Sequence, residues 1–129
     1  MELNQAQSTF LIVLVISFLA VLYILIFGPG GHISKARERE VKRLEMKIKV
    51  GGGIEMIDDF IELARAYVKT GRMSDAESAM RKALAIAENE FGKTNKQLAP
   101  VIKAYASTLN KMKRNVEADN MRKRLKDLS

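Results

Sequence analysis

The residue types that carry out catalysis or bind metals are scarce in this chain and lie far apart. There is one histidine, His32, and no cysteine, so a zinc site would lack the further nitrogen or sulfur ligands that it requires. Asp58 and Asp59 are adjacent, and adjacent side chains on a helix point in different directions, which prevents them from working as a carboxylate pair. The glycine-rich stretches GPGGH and VGGGI lack the Lys-Ser or Lys-Thr of a phosphate-binding loop. We therefore predict no enzyme activity, no catalytic residue, no cofactor and no metal.

Positive charge is the remaining feature that can do chemistry, and it is unevenly distributed. The 129-residue chain has a formal net charge of +7. Residues 35–50 carry seven basic and three acidic side chains, and residues 92–129 carry ten basic and three acidic ones. Residues 51–91 are mildly acidic, with five basic and eight acidic side chains. Two basic blocks indicate two surfaces that can meet negatively charged partners.

The first basic block follows a segment with the length and composition of a membrane span. Residues 10–27 read FLIVLVISFLAVLYILIF, in which only Ser17 and the phenol of Tyr23 are polar. A helix of this length extends about 27 Å, close to the roughly 30 Å hydrocarbon core of a bilayer. Residues 1–9 contain no Lys or Arg, which argues against a cleaved signal peptide. We predict an N-terminal segment, residues 1–33, with a transmembrane helix at 10–27 that is ended by Gly28, Pro29, Gly30 and Gly31.

The segment after the predicted span indicates the topology. Positive charge beside a span favours the cytoplasmic side, so we predict a single-pass membrane protein of the bacterial inner membrane with its N-terminus outside. Residues 34–50 have a helical pattern, with Val41, Leu44 and Ile48 on one stripe, and the glycines at 51–53 predict a hinge. The basic helix is either a contact with anionic lipid or a solvated stalk. The candidate membrane-surface contacts are Lys35, Arg37, Arg39, Lys42 and Arg43.

A separate helical domain is predicted after the hinge, at residues 54–129. Apolar residues recur every three or four positions over 54–69, and Gly71 ends this helix. Ser74 and Glu77 have the spacing of a capping box that begins a second helix, whose face consists mainly of alanines. Small side chains let two helix axes approach closely. The predicted fold class is therefore all-α, with helical hairpins behind a membrane helix.

This hairpin pattern resembles the tetratricopeptide repeat, and most closely the kinesin-light-chain type, whose repeats are about 42 residues apart. The residues that carry the resemblance are Leu63, Ala64, Tyr67, Gly71, Arg72, Asp75, Ala76, Glu77, Ala83 and Leu84. A shift of 42 positions places Arg72 on Arg114 and Ala76 on Ala118. The second unit departs from the pattern at Lys113, where the turn glycine belongs. The resemblance implies a first repeat at 54–91 and a degenerate second repeat at 95–128, joined by a linker in which Thr94 and Gln97 have capping-box spacing.

The resemblance further implies a groove lined by the first helix of each hairpin, which binds a segment of another protein. Projected onto this chain, the groove residues are Asp58, Ile61, Arg65, Lys69, Lys103, Ser107, Asn110 and Lys111. Cations one helical turn apart on these faces favour an acidic peptide or a C-terminal carboxylate as the partner, although long cations can also simply solvate a helix face.

The predicted function is that of a membrane-anchored adaptor or scaffold for protein–protein interactions, as a small accessory subunit of a membrane protein complex. The alternatives are a receptor-like recruiter of soluble clients and a basic membrane-tethered protein that binds nucleic acid or lipid. Residues 92–129 contain one aromatic residue, Tyr105. Because nucleic-acid bases stack on aromatic side chains, this scarcity disfavours nucleic acid as the partner. Two repeats are fewer than the three or so that form a stable solenoid, so we expect an apolar open end covered by the C-terminal helix, a second copy of the chain or integral membrane subunits.

Overall fold

The computed structural model describes residues 4–27 and 30–129, and within these ranges every regular element is helical. The helices are α1 (Gln5–Phe27), α2 (Gly30–Val50), α3 (Met56–Lys69), α4 (Met73–Phe91), α5 (Ala99–Lys111) and α6 (Asn115–Lys126). Short 3-10 turns precede α3 and α5. The predicted all-α fold class is confirmed. The chain divides into two compact units, one ending at Ala36 and one comprising Arg37–Ser129.

The first helix, α1, is apolar around its circumference. Its segment Gln5–Ile24 is long and apolar enough to cross a membrane, and it is not buried within the described structure. A helix that is apolar on every side needs an apolar environment on every side, which a bilayer supplies. The helix predicted at 10–27 is present, and it starts earlier, at Gln5. Gly28 and Pro29, which were predicted to end it, lie outside the described residues.

The second helix, α2, differs from its prediction in where it begins and in what its middle part contacts. Gly30 and Gly31, which were predicted to follow the end of the membrane helix as part of a break, lie in the first turn of α2, and His32 follows them in the same helix. Further along, Val41 and Leu44 are 0% and 1% exposed and belong to the core of the second unit. A solvated stalk is therefore wrong for this part of α2, since it supplies one wall of that core.

The glycines at 51–53 separate α2 from α3 without separating two domains. Gly53 has φ of +76°, a left-handed conformation that glycine adopts without strain. The chain turns there and brings α3 back along α2, so that Arg37 lies near Lys69 and Lys47 lies near Asp59. The two helices are thus antiparallel. The predicted boundary between residues 34–53 and 54–129 is replaced by a division after Ala36.

Two helical hairpins follow, and they match each other at a spacing of 42 residues. The first hairpin is α3 with α4, and the second hairpin is α5 with α6. The second helices begin at Met73 and Asn115, which are 42 positions apart. Gly71, at φ 77°, and Lys113, at φ 61°, are the left-handed residues of the two turns. Lys113 therefore adopts the conformation of the glycine that it replaces.

Hydrogen bonds in the two turns also recur at this spacing. The Arg72 backbone N–H donates to the Tyr67 carbonyl at 2.9 Å, and the Arg114 N–H donates to the Leu109 carbonyl at 2.9 Å. Arg72 Nε then donates to Asp75 Oδ2 at 2.7 Å, as Arg114 Nε does to Glu117 Oε1 at 2.6 Å. The second hairpin is therefore a structural repeat of the first.

The core of the second unit is centred on α4, which packs against both α3 and α5. The alanines of α4 are buried, and their small side chains allow the neighbouring helices to approach closely; they are Ala76, Ala79, Ala83 and Ala87. Larger side chains from the surrounding helices fill the remaining space, among them Leu44 of α2, Ile102 of α5 and Leu98. Ala118, the equivalent of Ala76, is also buried.

Both predicted capping boxes are wrong. Ser74 lies inside the first turn of α4, whose N-cap is Arg72, and Glu77 pairs with arginines instead of capping the helix. In the linker, Asn95 replaces Thr94 as the cap, because Asn95 Oδ1 accepts a hydrogen bond from the Gln97 backbone N–H at 2.8 Å. Asparagine is a strong N-cap residue, and here it begins the 3-10 turn Lys96–Leu98.

Candidate partner-binding surface

The groove residues predicted on α3 are not all available to a partner. Asp58, Arg65 and Lys69 are exposed. Ile61 is 7% exposed and part of the core, so its prediction as a partner contact is wrong. α3 also contacts α5, which fits the burial of an apolar residue on this helix.

The groove residues predicted on α5 are largely brought together. A depression of about 340 Å³ lies between α5 and α6. Its lining, which we call the terminal face, consists of Ile102, Lys103, Ala106, Ser107, Asn110, Arg122 and Leu125. Three of the predicted residues are thus in one site, whereas Lys111 is exposed outside it. Because the lining comes from α5 and α6, Arg65 and Lys69 of α3 do not share this site.

The positions in the first hairpin that correspond to the two cations of the terminal face are buried. Ile61 and Met80 stand 42 positions before Lys103 and Arg122, and they are 7% and 0% exposed. The same surface of the hairpin is therefore covered in the first copy and open in the second. The apolar open end expected from the sequence stays a prediction, since the terminal face has apolar lining but also carries cationic side chains at positions that are apolar in the covered copy.

The terminal face combines apolar and cationic groups in one depression. Ile102 and Ala106 are buried at the base of the depression, and the half-buried Leu125 leaves apolar surface accessible beside them. Lys103 forms no ion pair with the described residues, whereas Arg122 pairs with Asp119 on the same helix. An ammonium group next to hydroxyl and amide groups can bind a carboxylate, and the apolar floor can hold a neighbouring methylene or methyl group.

Ion pairs attach the second hairpin to α4 at both ends of α6. Before α6, Arg114 donates to Glu77 of α4 as well as to Glu117. This guanidinium, together with Arg81, lowers the pKa of Glu77 below its ordinary value of 4.5. At the other end, Arg124 donates to Glu88 of α4 and to the Lys93 carbonyl. The terminal face is therefore held on a hairpin that is fixed at two points.

The contact between α2 and α3 is polar at its edges. The Tyr67 hydroxyl donates to Glu45 Oε1 at 2.6 Å, and the Arg72 guanidinium lies 4.4 Å from the centre of the Tyr67 ring. Burial and the bond to Glu45 raise the pKa of Tyr67 to about 12. Lys47 Nζ lies 2.5 Å from Asp59 Oδ1, and this bond raises the pKa of Lys47. Neither contact was predicted, and only the stripe of Val41, Leu44 and Ile48 indicated that α2 has a buried face.

The basic residues predicted to contact a membrane surface are all exposed on α2. They do not share one side of the helix. Arg37 Nη1 donates to the Lys69 carbonyl at 3.4 Å, so Arg37 faces α3. Lys42 and Arg43 lie away from the buried stripe. The structure thus separates Arg37 from the other predicted contacts.

Among the side chains that the structure describes, no group of three His, Asp or Glu residues is placed to hold a metal ion. Comparisons with protein-family models, with curated proteins and with solved structures find no match to this chain.

Proposed function

We propose that the protein is a membrane-anchored adaptor whose terminal face binds an acidic segment of a partner protein. α1 serves as the anchor, and the two hairpins serve as a rigid support for the binding surface. The observation that carries this proposal is the convergence of Lys103, Ser107 and Asn110 with Arg122 around an apolar floor. A partner with a carboxylate beside an apolar group complements this surface.

The repeat geometry supports the adaptor class. The left-handed turn residue, the arginine–carboxylate pair and the buried alanine after the turn all recur at 42 residues. This recurrence agrees with the resemblance to tetratricopeptide repeats of the kinesin-light-chain type, which bind segments of other proteins. In such an arrangement α4 and α6 are the second helices of two repeats, and α2 fills the place of the second helix of a preceding one.

We further propose that the protein is a small accessory subunit of a membrane protein complex. The cations expected to hold a soluble client do not form one groove, since Arg65 and Lys69 lie apart from the terminal face. A permanent neighbour needs only an acidic segment that complements the terminal face, and it does not require a continuous groove of cations. The basic residues after α1 favour a cytoplasmic location for the hairpins, and the bacterial inner membrane is the proposed membrane.

The test is native purification of tagged full-length protein in mild detergent, followed by sizing and mass spectrometry. The unaltered chain is expected to migrate in one stoichiometric complex with integral membrane proteins. Lys103→Glu with Arg122→Glu reverses the charge of the terminal face and should release the partner, because like charges then oppose each other at the contact.

Arg65→Glu with Lys69→Glu is the matched control, since it reverses two exposed cations on α3 and should leave the complex intact. Circular dichroism checks that both variants fold. If the α3 variant loses the partner and the terminal-face variant keeps it, the binding surface is the α3 groove and the proposal is wrong. Migration alone, with soluble proteins bound in less than stoichiometric amounts, would favour the recruiter alternative.

A further inference from the structure

The surface of α2 opposite its buried stripe carries a second group of cations. Its exposed residues form what we call the outward face: Arg39, Lys42, Arg43, Met46, Lys49 and Val50. Lys42 and Lys49 are seven residues apart, which is about two helical turns, so they stand on one line. Met46 lies between them on the same side. Val41 and Leu44 point the other way, into the core.

The acidic residues of α2 lie to the sides of this face. Glu45 accepts the Tyr67 hydroxyl and lies 3.7 Å from Arg72, so it belongs to the contact with α3. Glu38 stands about 80° from Met46, beside Lys42 and Lys49 at the edge of the face, and Glu40 stands about 120° away on the other side. The outward face therefore presents mainly positive charge.

Two apolar side chains are exposed among these cations. Met46 is 67% exposed and Val50 is 88% exposed. Cations interleaved with exposed apolar side chains on one helix face are typical of helices that lie at a membrane surface, where cations meet lipid phosphates and apolar groups enter the headgroup boundary.

The outward face begins close in sequence to α1, the helix that can span a membrane. Arg39 follows the end of α1 at Phe27 by twelve residues. Even a fully extended chain of that length spans only about 40 Å. If α1 is inserted, the start of the outward face is confined within that distance of the lipid headgroups.

From this charge, exposure and confinement we infer that the outward face of α2 lies against anionic phospholipid headgroups, with Met46 and Val50 entering the headgroup layer. The inference shares with the proposed function only the insertion of α1. It assigns α2 two opposite contacts, the protein core on one side and lipid on the other. The terminal face lies on other helices, α5 and α6, so it stays available to a protein partner.

The test uses the absence of cysteine from the sequence. Met46→Cys introduces a single thiol for a fluorescent label, and Ser78→Cys provides a control label at an exposed position of α4. The full-length chain is placed in nanodiscs of neutral lipid or of neutral lipid with about 30% phosphatidylglycerol, each containing a headgroup quencher. The label at position 46 should be quenched at least about twofold more strongly in anionic discs, and raising the salt from about 50 to about 500 mM should reverse the effect.

Charge reversal identifies the surface. Lys42→Glu with Lys49→Glu should remove at least about half of the quenching at position 46, since the face then repels anionic lipid. Lys103→Glu with Arg122→Glu makes the same change in net charge on the terminal face and should not alter the quenching.

Three results would overturn the inference: equal quenching at positions 46 and 78, equal quenching at position 46 in neutral and anionic discs, or a label that responds to single-stranded DNA and not to anionic lipid. A chain that does not elute with the nanodiscs lacks an inserted anchor, which would overturn both this inference and the proposed function. A chain that inserts and still binds its partner without lipid quenching would overturn this inference alone.

Discussion

The first hairpin buries Ile61 and Met80 at the positions where the second hairpin exposes Lys103 and Arg122. The turns, the arginine–carboxylate pairs and the helix starts are nevertheless shared at 42 residues. Backbone geometry is thus independent of what the outer surface of a hairpin contacts. A few substitutions on one face distinguish a repeat that is covered by a neighbour from one that faces solvent or a charged partner.

The two ends of the hairpin pair differ in whether another helix covers them. At the start, α2 covers α3 with Val41 and Leu44. At the other end the terminal face is open and combines apolar with cationic side chains. This asymmetry explains how two repeats suffice for a compact unit, because α2 supplies apolar contacts of the kind that a third repeat would otherwise supply.

The largest effect on stability is expected when a buried residue of the first hairpin is replaced by the cationic residue at the equivalent position of the second hairpin. Met80→Arg places a guanidinium where the side chain is 0% exposed, and an unpaired buried charge costs about 4 kcal/mol. Thermal denaturation followed by circular dichroism should show a decrease in Tm of about 20 °C, or loss of the folded state.

The reciprocal change, Arg122→Met, is the control for that experiment. It removes an exposed cation, and surface substitutions of this kind change stability by less than about 0.5 kcal/mol. If Met80→Arg and Arg122→Met have equal effects on Tm, the two hairpins do not differ in coverage and the comparison fails.

The role of α2 as a cover is tested by Leu44→Ala. This side chain is 1% exposed, and removing a buried leucine costs about 3 kcal/mol through lost apolar contacts and the cavity that remains. Denaturant unfolding in detergent should show this loss. Met46→Ala, on the exposed side of the same helix, should cost less than about 0.5 kcal/mol. A small effect at Leu44 would mean that α2 does not contribute to the core.

The contact of Tyr67 with α2 makes the stability of the folded protein depend on pH in the alkaline range. The pKa of Tyr67 rises from 10.0 to about 12 in the folded protein, so the folded state favours the protonated phenol. Its contribution to stability is complete below pH 10 and is lost as the pH rises through about 12, a loss of about 3 kcal/mol. Unfolding free energies over this range should fall more steeply for the unaltered chain than for Tyr67→Phe. Parallel pH profiles would contradict the raised pKa of Tyr67 that burial and the hydrogen bond to Glu45 produce.

The smallest effect is expected at the turns. Lys113 has φ of 61°, a conformation that costs a non-glycine residue roughly 1 kcal/mol, so Lys113→Gly should stabilise the protein by about 0.5 kcal/mol after the entropy cost of glycine. Gly71→Lys should destabilise it by about 1 kcal/mol, since the space around Gly71 is open and only the backbone conformation opposes the change. Opposite signs for the two variants in chemical denaturation would confirm that both turns have the same geometry.

Sequence periodicity is sufficient to predict the hairpins, because helix faces and turn residues are determined locally. The 42-residue shift alone aligns Arg72 with Arg114, and both arginines occupy equivalent turns. The role of α2 was missed because the stripe of Val41, Leu44 and Ile48 is short and its partner helix follows three glycines that suggest a domain boundary.

The terminal face was predicted in part. Lys103, Ser107 and Asn110 were found by projecting the repeat pattern onto the first helix of the second hairpin. Arg122 comes from α6, a helix that this pattern does not assign to the groove. Its contribution depends on how α6 packs on α5, which is a tertiary contact that local periodicity does not contain.

The antiparallel packing of α2 on α3 has a mechanical consequence. Because α2 follows α1 in the chain and also forms a wall of the core, tension arriving from the N-terminal side acts on α2 before any other part of the unit. Val41 would be pulled from its site first, and Leu44 next, as the helix is peeled away from its first turns. A load applied at the start of α2 is therefore carried directly into the core and loosens the first hairpin.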